Sequence, residues 1–466
     1  MIYLVLAAQL ILSLSILVIL HELGHFLPAK WFKTRVEKFY LFFDPWLSLI
    51  KAKKINNKWE VKSFLSKNQE FSEKADDVTE YGVGWLPLGG YVKISGMVDE
   101  SMDKEQLKQE PKPWEFRSKP AWQRLIIMLG GVTVNFLLGF IIFGFLLFKY
   151  GEEYLPAKNA TYGIHVDSIG REMGLENGDE IIRIASKEFD RFDPTVLMKE
   201  VVLNDAKTIT VKRNGELKEI PIDQKYIKLF SSNKMKDIAL FQPRIPFVVM
   251  EVPKDKPAFK AGIKKDDKII GLNNEFTPFY GDFFDKIKNL KNTPVEVTVL
   301  RGADTLKIAA TTTQDGRLGI APYAPSHYFK TEKINYSLLQ AIPAGVGKGV
   351  GFLSSQIKAF GQMFSGKIDA SESLGGFASI AKLFPEQWNW EEFWHKTAIL
   401  SLILAFMNLL PIPGLDGGYV VFLIWEVVTG KKVSDEFMEK AVTVGFVLLM
   451  ALMLYANGLD VVRLWK

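Results

Sequence analysis

The chain has 466 residues, 48 % of them apolar, and a formal net charge of +5. That length exceeds one ordinary core, so two or more units are expected. With no cysteine, disulfides and thiolate metal sites are excluded, and basic residues scattered along the chain give nucleic-acid binding no support.

Four uncharged runs, 2–20, 125–148, 397–415 and 441–459, each reach 19 residues or more, against the roughly 20 that a spanning helix needs. They predict a polytopic membrane protein with four transmembrane helices and a soluble insert. The first run has no basic residue before it and no small-residue cleavage site after it, which disfavours a signal peptide. Lys30, Lys33, Arg35 and Lys38 follow the first run, Arg117, Lys119 and Arg124 precede the second, and Lys431 and Lys432 lie between the last two. By the positive-inside rule both termini and the insert, residues 150–395, face outside.

The first run leads directly into His21 and Glu22, with His25 one turn later, in the sequence HELGH. Such groups are expensive in hydrocarbon and mark function. On a helix the two imidazoles share a face and can share one zinc, and the carboxylate between them can take a proton from bound water. A catalytic zinc needs a third protein ligand, which without cysteine must be His, Asp or Glu. His165, His327 and His395 fall in the outside insert, whereas the histidine pair lies at the inner end of its span.

Residues 80–100 are glycine-rich, with a short strand predicted at Tyr91, Val92, Lys93 and Ile94. Two readings stay open: a surface hairpin, or a loop dipping into the membrane under cover of protein or water. In the insert, GLENGDEIIRI at 174–184 recurs as GIKKDDKIIGL at 262–272, and TVKRNG from Thr210 recurs as TVLRGA from Thr298. The constant offset argues for two copies of one domain. Each copy is similar to the bacterial, circularly permuted PDZ domain, which captures peptides at a sheet edge; a mere spacer role stays open. Residues 334–364 carry apolar residues at helical spacing interrupted by Lys348 and Lys358, predicting helices at the interface or packed on the insert.

Counting inward along the third run reaches NLLPIPGLDGG, so Asp416 sits at the depth of His21 and His25. Pro411 and Pro413 break the helix there, glycines allow a close turn, and Asn408 offers an amide just before the break. By itself LDGG is also an ordinary capped turn.

HELGH, NLLPIPGLDGG and the PDZ-like repeats together resemble the site-2 protease family of intramembrane zinc metalloproteases, in its bacterial RseP-type branch with tandem PDZ domains. The resemblance covers essentially the whole chain. It implies one zinc held by His21, His25 and Asp416, Glu22 as catalytic base, and Asn408 in substrate binding. GYVKISG matches the family's membrane-associated β-loop, so Tyr91, Val92, Lys93 and Ile94 are expected to pair with an unwound substrate strand. The implied layout is a first membrane unit over 1–150, PDZ-like domains over 160–245 and 246–325, amphipathic helices over 326–394 and a second membrane unit over 395–466. The implied setting is a bacterial inner membrane, with the site near the cytoplasmic side. The implied partners are the bilayer and membrane-spanning proteins such as anti-sigma factors or signal-peptide remnants, trimmed beforehand by another protease. Two features depart from the pattern: Gly375, Gly376 and Phe377 where Gly-Pro is usual, and a long stretch over 39–80. A non-catalytic PDZ scaffold would have no need of Glu22, and a zinc transporter would spread its ligands along a path.

Overall fold

The computed structural model describes residues 2–66, 70–72, 77–87, 89–97, 110–232, 235, 238–369, 371 and 374–465; parts of the stretches 80–100 and 372–384 lie outside these. The chain forms two compact units, one of Met1–Gly151, Asn335–Gln356 and Leu374–Lys466, the other of Glu152–Ile334 and Ile357–Ser373.

The first unit is built on helices α1 (Ile2–Trp31), α2 (Ala121–Tyr150), α3 (Trp390–Leu409), α4 (Asp416–Thr429) and α5 (Asp435–Trp465). Three helices among the described residues are long and apolar enough to cross a membrane: α1, α2 and the Glu436–Arg463 part of α5. The run 397–415 is not one continuous helix: the break expected at Pro411 and Pro413 is present. Its helix starts earlier, capped by Asn389, whose side chain accepts from the amides of Glu391 and Glu392 at 2.9 and 3.1 Å. It stops at Leu409, because Pro411 and Pro413 lack amide hydrogens and cannot continue it, and α4 begins after a break of six residues.

Small and polar residues hold the helices together, as expected where apolar contact alone gives no preference over lipid. Side chains added at Gly24 or Gly130 would strike the opposing backbone, so α1 and α2 touch there main chain to main chain. Gln9, fully buried, donates to the Pro385 carbonyl at 2.8 Å, and the Ser13 and Thr397 hydroxyls meet at 3.0 Å. The stretch 334–364, expected to be helical, forms one helix, Leu338–Phe364. Its buried Ala341, Gly345 and Gly349 lie one turn apart, with Gly345 against Gly144 and Gly349 against Phe140 and Leu402.

Between α1 and α2 the chain makes strands β1 (Val36–Leu41), β2 (Phe43–Ile55), β3 (Lys58–Ser63), β4 (Glu80–Leu86) and β5 (Tyr91–Ile94). They form a five-stranded sheet ordered β3-β2-β4-β1-β5, in place of the expected simple loop or hairpin. β1 and β4 are parallel and the other pairs antiparallel. Asn56 and Asn57, both at positive φ, supply the tight turn joining β2 to β3. The long stretch 39–80 is therefore mostly sheet, and β5 is an edge strand.

The second unit repeats one topology. Thr208–Arg213 sits between Glu216–Pro221 and Glu180–Ile184, with Lys187–Glu188 outermost; Pro294–Arg301, Asp304–Thr311, Lys268–Leu272 and Glu275–Phe276 repeat that order. Each copy is pinned by the same ion pair to a buried aspartate. Arg213 donates to both oxygens of Asp179 at 2.7 and 2.8 Å and to the Gly174 carbonyl at 2.8 Å. Arg301 treats Asp267 and Gly262 likewise, at 2.7, 2.7 and 2.8 Å. Before the repeats Glu152–Tyr154 pairs antiparallel with Glu332–Ile334 after them, so the two ends of the segment that carries the repeats are joined.

Candidate metal centre

HELGH lies well inside α1, so helical geometry alone stacks His21 and His25 on one face, with ring centroids 4.8 Å apart. Both are buried, and their Nε2 atoms are 3.2 Å apart. Asp416, the first residue of α4, puts Oδ2 3.3 Å from His21 Nε2 and 3.4 Å from His25 Nε2. The break after α3 brings it there. Gly414 takes φ of +94°, and any side chain at Gly417 or Gly418 would hit the carbonyls of the turn they fold against.

These three atoms fit a metal ion. A tetrahedral ion with bonds of about 2.0–2.1 Å holds its donors about 3.3 Å apart, close to the spacing found. Asp416 Oδ2 is buried without a hydrogen-bond partner, a costly state for an acceptor unless a cation supplies the missing interaction. The group is the one cluster of three such ligand residues among those described. It includes neither His165, placed between Asp282 and Asp285, nor His327, stacked on Tyr323. His395 belongs to α3, against Phe143, and not to the insert where the sequence put it.

Two further expected residues adjoin the cluster. Asn408 Nδ2, in the last turn of α3, is 3.3 Å from His21 Nε2. Glu22 lies beside the two imidazoles and Asp416, and its carboxylate accepts from the backbone amide of Val92 on β5. Gly90, just before β5, has room for no side chain because Val18 and the Tyr40 carbonyl fill the space beside Glu22. Strand β5, with Tyr91, Val92, Lys93 and Ile94, is thereby held against the site. Tyr91 stacks on Tyr40 and donates to Asp44 at 2.8 Å, and Lys93 pairs with Glu37 at 3.3 Å.

Sequence reasoning missed α2. Its Ile127 carbonyl accepts from His25 Nδ1 at 2.8 Å, and the fully buried Asn135 amide lies 3.1 Å from His21 Nδ1. Gly131, between them, lets α2 press its backbone on the edges of both imidazoles. A signal was present: an amide in an otherwise apolar membrane run calls for a partner.

A profile described as Peptidase family M50 matches residues 9–66 and 56–452. The regulator of sigma E protease of Haemophilus influenzae is 26 % identical over 473 residues, covering 97 % of this chain and 98 % of that one. The regulator of sigma-E protease RseP of Salmonella typhimurium is 26 % identical over 479 residues, covering 98 % of each. A Pasteurella multocida protein, provisionally named a zinc metalloprotease, is 28 % identical over 475 residues, again covering 98 % of each. The match spans both the α1 motif and the α3–α4 break that carry the cluster, and the chain belongs to peptidase family M50.

Proposed function

We propose that this chain is an intramembrane zinc metalloprotease that cuts peptide bonds in or near the membrane-spanning segments of other proteins. The observation that carries the reading is the convergence of His21 Nε2, His25 Nε2 and Asp416 Oδ2 within 3.2–3.4 Å beside the Glu22 carboxylate. The names of relatives as zinc metalloproteases and sigma-E regulating proteases support it.

In this reading His21, His25 and Asp416 hold one zinc. When bound, zinc lowers the pKa of a coordinated water and polarises the scissile carbonyl. Glu22 takes the proton of the attacking water on a carboxylate oxygen and passes it to the leaving nitrogen. Ile127 and Asn135 hold the protons on the two Nδ1 atoms, which leaves each Nε2 lone pair free for the metal. For His21 this requires the Asn135 amide to turn its oxygen toward Nδ1. Asn408 donates to an oxygen of the bound substrate.

A spanning helix hides its carbonyls in its own hydrogen bonds and must unwind before it is cut. The edge strand β5 offers replacement backbone bonds at the site. The two repeats, read as PDZ-like domains facing outside, filter substrates by size, admitting proteins already trimmed by another protease. The setting is a bacterial inner membrane with both termini outside.

The test is cleavage of a membrane-spanning substrate in detergent or liposomes by the wild type and Glu22→Gln, with zinc measured in both. The expected loss is at least about 100-fold with zinc retained, because the amide accepts no proton. Activity within a few-fold of wild type at full zinc would remove Glu22 from this role.

A further inference from the structure

One face of α2 carries the contacts of Ile127, Gly131 and Asn135 with the cluster. Ile127, Gly131 and Asn135 follow at helical spacing, and the same stripe begins one turn earlier at Arg124. Arg124 is 4 % exposed, an uncommon burial for arginine. Its Nε donates to the Lys119 carbonyl at 2.9 Å, and its Nη2 donates to Glu426 Oε1 on α4. The matching stripe on α4 runs Asp416, Tyr419, Val420, Leu423 and Glu426. Tyr419, Val420 and Leu423 share a buried cluster with Ile127 and Met128 of α2. The two stripes thus face each other, with Asp416 at one end and the Arg124–Glu426 pair at the other, about 15 Å away along α4.

We infer that the Arg124–Glu426 ion pair is a positioning device that sets α4 on α2 so that Asp416 meets the two histidines. The inference rests on the proposed role of Asp416 as a metal ligand. The irregular turn of residues 410–415, with two prolines and a glycine at positive φ, brings the first residue of α4 to the site but leaves the rotation and register of the rest of the helix to its own contacts. The apolar contacts between the stripes are non-directional and permit sliding or rotation of α4. A charge-assisted hydrogen bond between the buried Arg124 and the half-buried Glu426 has direction and fixes one register. Neither residue touches the metal cluster; each acts through the helix it anchors.

The experiment uses the full-length protein purified in detergent. Zinc affinity is measured by competition with a chromogenic chelator, and kcat and KM are measured at saturating zinc on one membrane-spanning substrate. The variants are Arg124→Ala, Glu426→Gln, the exchange R124E/E426R, and Asp416→Ala. The single changes at Arg124 and Glu426 are expected to weaken zinc binding by about 10- to 100-fold, the range for groups that orient ligands. They are also expected to lower kcat with KM unchanged. The exchange is expected to recover both to within about threefold, because it restores the pair with its direction reversed. Wild-type zinc affinity and kcat in both single variants would overturn the inference, as would an exchange no better than the singles. If a single variant fails to fold, R124L/E426L replaces it, since removing both charges leaves none buried alone. A folded leucine pair with weakened zinc supports the inference, and one with wild-type zinc overturns it. Asp416→Ala separates the two levels of the argument. Unchanged zinc affinity there defeats the ligand assignment itself, whereas weakened zinc there with normal Arg124 and Glu426 variants defeats only the positioning role.

Discussion

The side-chain amide of Asn135, wholly buried on α2, meets His21 Nδ1 at 3.1 Å, on the ring edge away from the Nε2 that faces Asp416. Asn135 Oδ1 is buried without a partner. With His21 Nε2 committed to a metal, Nδ1 must carry the ring proton, and an amide turned to present its oxygen receives it. Asn135→Leu is expected to lower zinc affinity about 10- to 100-fold, and Asn135→Asp, which keeps an acceptor, much less. Zinc titration of the purified variants checks this, and equal affinity in the leucine variant and the wild type would refute it.

Gly131 faces the edges of both imidazoles, where a methyl group would overlap His25 Nε2 and His21 Cε1. Gly131→Ala must therefore push α2 from α1 or rotate the rings. Overpacking of this kind costs about 1–3 kcal/mol, and here it also disturbs the donor positions. The expected result is a lowered melting midpoint together with reduced zinc content. Gly347→Ala, at a position with open space around it, serves as the control and is expected to change neither.

In the second repeat, burial tends to raise the pKa of Asp267. Hydrogen bonds from Arg301 and the Lys264 amide outweigh that effect and hold it below the usual carboxylate range. A group with a depressed folded pKa contributes stability that is fully present above its unfolded pKa of about 3.9. That contribution is lost as pH falls through the folded value. Asp267→Asn is expected to destabilise the repeat by roughly 1–3 kcal/mol at pH 7 and to flatten its acid response. Hydrogen exchange over residues 262–272 of the full-length protein measures both. Protection that falls in acid equally in variant and wild type would count against the assignment.

Because Glu152–Tyr154 pairs with Glu332–Ile334, removing residues 160–325 deletes a loop whose two ends are already joined. The excised protein is expected to keep zinc, since every proposed ligand lies in the other unit. It is also expected to cut substrates with bulky outer domains that the full chain rejects. Long and short versions of one membrane substrate, offered to both enzymes, decide this. A folded, zinc-bound deletion variant that still rejects the long version would end the filter proposal; one that binds zinc but cuts neither would show that the repeats present the substrate.

The sequence by itself determined the parts whose information is local. A four-residue spacing on a helix places His21 and His25 together whatever the rest of the chain does. The offset between the repeats is likewise visible in residues, and it reappears as the matched pairs Arg213–Asp179 and Arg301–Asp267. Asp416 was reachable by counting depth, because a helix has a fixed rise. The two prolines in the same run announced the break. The run 397–415 reads as a span by composition, yet its prolines end α3 at Leu409 and start a separate helix.

Only the tertiary structure decided the five-stranded order β3-β2-β4-β1-β5, since strand pairing joins residues far apart in sequence and local alternation does not name a partner. It alone decided the role of α2 as well. Ile127 acts through a main-chain carbonyl, which no side-chain motif announces, and Gly131 acts by having no side chain. Arg124 reads in the sequence as one more basic residue at a membrane edge, counted toward orientation. Packing against α4 makes it a buried partner of Glu426, 302 positions away, because the energy of a charge depends on what surrounds it and not on its place in the chain.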